Sequence, residues 1–401
     1  MQKQLTWSEI HLDAVRGLAA LIVAFGHARG LFLPSLTDTT TAVATATAAA
    51  AEQGIAAPTI AHLTIGHQAV MVFFVLSGYL VGGSVLKSFA NDRWQWSDYL
   101  VKRLARLWTV LIPAIVIGLL LDTIGFHLLA QPGSLYTAPA GQQYILPEYL
   151  TRGVDLWTAI GNVLFLQGIA VSTSGTNIAL WSLSNEFCYY LLFPLCMLVL
   201  HRNVTLARRV VFSLVAVGIA LMIGADTAFL YLVWLLGAVV AAIPPRIPSR
   251  FAGKVVAAAG LVFVVIFLTL KKYNLPLYAS EMLLGILSAL LIYAIKCQNT
   301  AAQVSLYSKT SRFFSDISYT LYLTHLPFLI FVCAIVNSPW KKWAMSPLML
   351  IAFIAVSSLA IVWAWLLYRL FESRTGKVRQ IGYAIVAKCR GKTSADIAEQ
   401  P

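Results

Sequence analysis

Charge is scarce in this sequence. Asp, Glu, Lys and Arg together make up 11% of the 401 residues, and the acidic side chains number only 16. Soluble domains carry about a quarter charged residues, so an ordinary globular fold is excluded. Cysteine is also sparse. Cys188, Cys196, Cys297, Cys333 and Cys389 form neither a disulfide framework nor a metal-ligand spacing. There is no phosphate-binding glycine loop, dinucleotide fingerprint, HExxH or CxxC pair, so ATP hydrolysis, hydride transfer and zinc chemistry lack a sequence basis.

What fills the chain instead is apolar. Hydrophobic residues reach 59%, and mean hydropathy is +0.78. Apolar runs of membrane-crossing length recur throughout. The fold class is therefore all-α, a polytopic helical membrane protein. About ten spans are predicted: 14–33, 68–87, 106–129, 178–200, 209–224, 226–243, 254–270, 278–296, 316–337 and 346–369. The patch WTAIGNVLFLQG (157–168) is too short to cross and suits an interfacial or re-entrant segment. The reading is of one membrane domain, 1–380, followed by a basic tail, 381–401. The first apolar run contains Arg16 and His27 and no convincing cleavage site, which favours an uncleaved span over a signal peptide.

The net charge of +13 is explained by where the cations lie. Lys87, Arg93, Lys102, Arg103 and Arg106 cluster before the third span; Arg202, Arg208 and Arg209 fall in one later loop, and Arg246, Arg250 and Lys254 in the next. Placing both termini in the cytoplasm puts all these loops, and the basic tail, on the inner side. Nucleic acid is accordingly not an expected partner. The pairs Lys271–Lys272 and Lys341–Lys342 are the exceptions to the pattern. Two outer loops stand out. The 30–66 loop carries an Ala/Thr-rich run (37–53), and the 130–177 loop, rich in Gly, Pro, Tyr and Asn, is a plausible wall for a sugar cleft.

An ionisable side chain within a span costs about 2.5–3.5 kcal/mol on the insertion scale, so each is a functional candidate. Arg16 and His27 are eleven residues apart, about 16.5 Å of rise and only ~20° from whole turns, hence on one face. Ala20 and Val23 or Ala24 lie on the same stripe and are small enough for close approach by a neighbour. His27 suits proton transfer, whereas Arg16 is equally well explained as a snorkelling anchor paired with Asp13. Arg103 and Arg106, spaced i, i+3, can converge on an anion or serve as a positive-inside anchor. In WSLSNEFCYYLLFPL (181–195), Glu186 lies about two turns into the membrane and shares a face with Tyr190. It should face a wet cavity or a cation, and can orient an imidazole or act as a base. In SYTLYLTHLPF (318–328), Ser318, Tyr322 and His325 share a face, and Pro327 is expected to bend the helix. Ser77, in FFVLSGYLVGG, would need a nearby base to be a nucleophile. These residues alone leave catalysis and transport equally open.

Taken in order, LDAVRGLAALIVAFGHA, FFVLSGYLVGGS, RLARLW, WSLSNEFCYYLLFPL, SYTLYLTHLPF and RLFESRTGK resemble the acyltransferase-3 family of membrane proteins over about 10–375. The resemblance implies O-acylation of a glycan, with acetyl-CoA as co-substrate and no bound cofactor. By its motifs Arg16, His27, Glu186 and His325 are candidate catalytic residues. Arg103 and Arg106 are candidate acyl-donor ligands, and Trp181 and Tyr319 candidate cavity-lining residues. It further implies His27 as general base or acetyl carrier, Glu186 orienting a histidine, a glycan or glycolipid acceptor and a bacterial-type plasma membrane. The chain resembles the stand-alone branch without a hydrolase-like domain, and its Ala/Thr-rich loop departs from the family pattern. The rival readings are a transporter or flippase of a lipid-linked sugar and a non-catalytic scaffold.

Overall fold

The computed structural model describes residues 5–33, 65–137, 155–273, 275–343 and 346–389. The Ala/Thr-rich run and residues 138–154 of the 130–177 loop lie outside them. Among the described residues twelve α-helices follow in chain order: α1 (Trp7–Phe32), α2 (Ile65–Ser77), α3 (Gly83–Ala90), α4 (Trp96–Leu129), α5 (Leu156–Val163), α6 (Trp181–Leu200), α7 (Leu206–Ala242), α8 (Ser249–Thr269), α9 (Leu277–Cys297), α10 (Leu306–Val336), α11 (Pro347–Leu370) and α12 (Thr375–Cys389). A π-helical turn, Gly78–Gly82, joins α2 to α3. Among the described residues there is no strand, only two isolated bridges.

Nine helical stretches among the described residues are long and apolar enough to cross a membrane. One of them, α7, breaks at Gly224 (φ 76°), which separates the two apolar runs expected at 209–224 and 226–243. Glycine reaches this left-handed region without the steric penalty of a Cβ. The WTAIGNVLFLQG patch forms only the eight-residue α5, too short to span. Helices α1, α4 and α10 begin seven to ten residues before their expected starts, and at α1 and α10 the polar first turns are capped outside the apolar window. Thr6 and Glu9 form a capping box at α1, and Ser305 and Ser308 do so at α10. The expected boundary at 380/381 falls inside α12, which packs on α4. Tyr383 donates to Asp98 at 2.5 Å, and Gly382 lies against Val101.

The Thr6–Ala301 bridge and the Tyr383–Asp98 bond gather the starts of α1, α4 and α10 with α12 at one end of the bundle. At the other end Trp340 donates to the Leu31 carbonyl at 3.1 Å, and the backbone N–H of Trp343 to that of Phe32 at 2.8 Å. Helix α10 is the axis, buried on nearly every side from Ile317 to Ile330. The small stripe of α1 seats it there, with Ala20 and Ala24 at 0% and 1% exposure against Leu321. A Cβ on Gly17 would come within 2.6 Å of Phe314 Cβ. By contrast α7 and α8 turn large apolar side chains outward, among them Leu214, Leu221, Leu261 and Leu268, as a lipid-facing surface requires.

Pro327 does not end α10, which continues to Val336. Proline has no N–H to offer the carbonyl four residues earlier, and the side-chain amide of Asn177 donates to that Leu323 carbonyl at 2.8 Å. A second close packing joins α7 to the π turn. A Cβ on Gly82 would meet Ala238 Cβ at 2.8 Å. Gly82→Ala is expected to lower stability by about 1–3 kcal/mol through overpacking, read as a lower unfolding temperature of purified protein in one fixed detergent.

Candidate active site

Helices α1, α2, α4, α6 and α10 enclose a cavity of about 340 Å³. Its wall carries Arg16, Arg103 and Arg106, faced by Glu186, Tyr190, Ser318, Tyr319 and Tyr322. The one-face spacing read in the sequence accounts for this. Arg16 lies on the α1 stripe that faces α10, and Arg103 and Arg106 point inward from successive turns of α4.

The three guanidinium groups are differently committed. Arg106 Nη1 donates to Glu372 Oε1, and its guanidinium lies 5.0 Å from the centroid of Tyr319. The other oxygen of Glu372 accepts from the Thr320 hydroxyl and, at 3.2 Å, from the Thr320 backbone N–H. Glu372 follows α11 and is only 4% exposed. Arg16 donates to Ser315 Oγ at 3.2 Å and lies 3.8 Å from Asp13, the pairing considered from the sequence. Arg103 has no carboxylate partner among the described residues. It stacks 5.8 Å from the Tyr99 ring centroid, and its buried Nε lacks a hydrogen-bond partner there. Arg103 is thus the cation left available to an entering anion.

Among the described residues Glu186 bonds no histidine: its carboxylate accepts from Tyr190 Oη at 2.5 Å, one turn further along α6. A buried carboxylate–histidine pair lies elsewhere, between His67 of α2 and Glu281 of α9, at 2.7 Å. Trp181 belongs to that cluster. It stacks on His67 with centroids 5.5 Å apart, and the residues lining the 340 Å³ cavity do not include it. Trp181 and Glu186 are five residues apart on α6, about 500° of turn, so they leave the helix on different faces. Tyr319 does line the cavity and donates to the Leu107 carbonyl at 3.2 Å. Ser77 bonds to Tyr190 and Trp234 rather than to a base, so it lacks the activation a serine nucleophile needs.

His27 and His325 come together, with ring centroids 5.1 Å apart. The Nδ1 of His325 lies 2.9 Å from the Leu321 carbonyl. A carbonyl only accepts, so Nδ1 carries the hydrogen and Nε2 presents a lone pair. That Nε2 is buried and has no hydrogen-bond partner among the described residues. Tyr322 connects the two regions. It lines the cavity, its ring lies 6.3 Å from that of His325, and its hydroxyl bonds Ser182 Oγ at 2.6 Å.

A family model described as an acyltransferase domain matches residues 9–369. The chain belongs to the acyltransferase-3 family. Two curated relatives of this family member carry related names. The putative peptidoglycan O-acetyltransferase YrhL of Bacillus subtilis (strain 168) is 26% identical over 66% of this chain and 44% of its own length. The acyltransferase MdmB of Streptomyces mycarofaciens is 28% identical over 36% of this chain and 32% of its own. The aligned stretches thus cover less than half of either relative. No solved structure matches. Of the candidate site residues, the structure places Arg16, Arg103, Arg106, Glu186 and Tyr319 at the cavity, and His27 and His325 one ring beyond it.

Glu372, His67 and Glu281 were missed in the sequence. Each carried a usable signal, since Glu281 is an ionisable residue within an expected span, His67 sits at the mouth of another, and Glu372 stands within the RLFESRTGK segment.

Proposed function

We propose that this acyltransferase-family protein moves an acyl group, in the simplest case acetyl, from acyl-CoA to a hydroxyl of a cell-envelope glycan. One observation carries the reading. The cavity presents an unneutralised guanidinium, Arg103, and extends to within one aromatic ring of an imidazole with a bare Nε2. A phosphate-bearing donor fits the first feature and a hydroxyl awaiting deprotonation the second. The name of the Bacillus relative supports a glycan acceptor. The basic loops of the Arg103 end support a cytoplasmic donor and a plasma-membrane location with both termini inside.

In this reading Arg103 holds a donor phosphate, with Arg16 and Arg106 supplying further positive potential at the cavity wall. The thioester extends toward Tyr322. The acceptor oxygen attacks the thioester carbonyl while its proton passes to the His27–His325 pair, His325 offering the lone pair. The C–S bond breaks, an ester forms, and the departing thiolate ends protonated as free CoA, so protons balance overall. Glu186 contributes a fixed negative charge on the wall facing the arginines.

The test is purified protein in lipid, labelled acetyl-CoA and a panel of envelope glycans. Label transferred to glycan supports the reading. Vectorial movement of a lipid-linked sugar without acetyl-CoA consumption would instead identify a transporter. Within that assay Arg103→Ala is expected to raise the donor KM about 10-fold, from loss of one charge-assisted contact, with kcat within threefold. A donor KM equal to wild type would remove Arg103 from the donor site.

A further inference from the structure

Trp234 is fully buried on α7 and far from Glu186 in sequence, yet three hydrogen bonds join them. Trp234 Nε1 lies 3.1 Å from Ser77 Oγ, Ser77 Oγ 3.2 Å from Tyr190 Oη, and Tyr190 Oη 2.5 Å from Glu186 Oε1. Donor chemistry fixes the direction of this chain. An indole N–H only donates, so Ser77 accepts from Trp234. The Tyr190 hydroxyl hydrogen goes to the carboxylate, so Tyr190 oxygen accepts the hydrogen of Ser77. Every dipole in the chain points at Glu186, an arrangement in which each bond polarises the next.

The fold spends close packing to make this junction. A Cβ on Gly78 would lie 1.9 Å from the Trp234 carbonyl oxygen, and one on Gly237 would lie 2.0 Å from that of Val75. Both glycines let α7 press against the end of α2, where the π turn Gly78–Gly82 begins. Such turns recur at functional sites. Among the other tryptophans of the described residues, Trp108 donates to the backbone carbonyl of Val163 and Trp340 to that of Leu31, while the buried Nε1 of Trp94 and of Trp363 makes no hydrogen bond there. Trp234 is instead routed through two hydroxyls to a carboxylate on the cavity wall.

We propose that Trp234 and Ser77 are positioning residues for Glu186, holding its carboxylate in place through Tyr190. This rests on the acyl-transfer reading only for its kinetic consequence. Ser77→Ala and Trp234→Phe each interrupt the chain while keeping most of the packing. Each is expected to lower kcat about 10-fold, the effect of one hydrogen bond to a charged network, with the donor KM within twofold. Because all act through one link, Ser77→Ala/Tyr190→Phe should be no slower than Tyr190→Phe alone. Multiplying rate losses, a shift in donor KM at unchanged kcat, or wild-type kcat in both single variants would overturn the proposal. If one variant fails to fold, the same cycle is run with the other.

A turnover-independent readout separates this claim from the reaction itself. The infrared carboxylate band of Glu186, assigned by its disappearance in Glu186→Gln, should shift in Ser77→Ala and in Trp234→Phe. An unshifted band overturns the positioning role even if the protein acetylates glycans. A shifted band in a protein that consumes no acetyl-CoA supports the positioning role and overturns the acyl-transfer reading alone.

Discussion

Replacing His325 with alanine is expected to lower kcat by about 10²–10⁴-fold, the usual contribution of a positioned general base, while leaving the donor KM within threefold. The separation follows from geometry. His325 lies beyond Tyr322, outside the set of residues lining the cavity that contains Arg103, so donor binding does not require its ring. Alanine also leaves a void in the most buried helix of the bundle, and a rate loss alone would confuse chemistry with packing. His325→Asn resolves this. Its side-chain amide can take over the hydrogen bond that Nδ1 makes to the Leu321 carbonyl, yet it has no basic nitrogen where Nε2 stands. The asparagine variant should therefore melt near wild type and remain as slow as the alanine variant. His27→Ala is expected to cost a similar factor, and the double variant no more than either single one, because two rings 5.1 Å apart act on one proton. A His325→Asn enzyme with kcat within threefold of wild type would dismiss the histidine as base.

The parts of this site that were legible in the sequence are those written within one helix. Spacing alone put Arg16, Ala20, Ala24 and His27 on one stripe of α1, and the structure packs that stripe against α10. The same arithmetic aligned Glu186 with Tyr190, which are hydrogen-bonded, and His325 with Tyr322. What spacing does not carry is the partner on another helix. The sequence expectation set Glu186 against a wet cavity or a cation, able to orient an imidazole or to act as a base, and Glu186 does line the cavity. Its hydrogen-bond partner among the described residues is a tyrosine on its own helix, while another carboxylate, Glu281, bonds His67 across two helices. The Arg103–Arg106 motif shows the same limit. An i, i+3 pair predicts convergence, but Glu372, 266 positions away, neutralises one member and leaves the other. Helix ends were misplaced for a simpler reason. The first turns of α1 and α10 are polar and held by capping boxes, which a hydropathy window does not register.

Glu372→Ala is expected to destabilise the protein by about 3 kcal/mol, the low end for breaking a buried ion pair, and to weaken donor binding as well. Three donors lose this acceptor at once, Arg106 and both the hydroxyl and the backbone N–H of Thr320 in the middle of α10. The Glu372 side chain is 3% exposed, but that of Arg106 is 42% exposed toward the cavity, so water entering there offsets part of the loss. That asymmetry is why the low end of the range applies. It also predicts the sign of the repair. In Arg106→Leu/Glu372→Leu no uncompensated charge remains, and the unfolding temperature should return most of the way to wild type. Donor KM should not return with it, because the cation over Tyr319 is gone from the cavity wall. The two measurements therefore pull apart a structural latch from a functional one. Recovery of both stability and donor KM in the double variant would make Arg106 and Glu372 a packing device. Recovery of stability alone places Arg106 in the donor site and makes Glu372 the residue that holds it there.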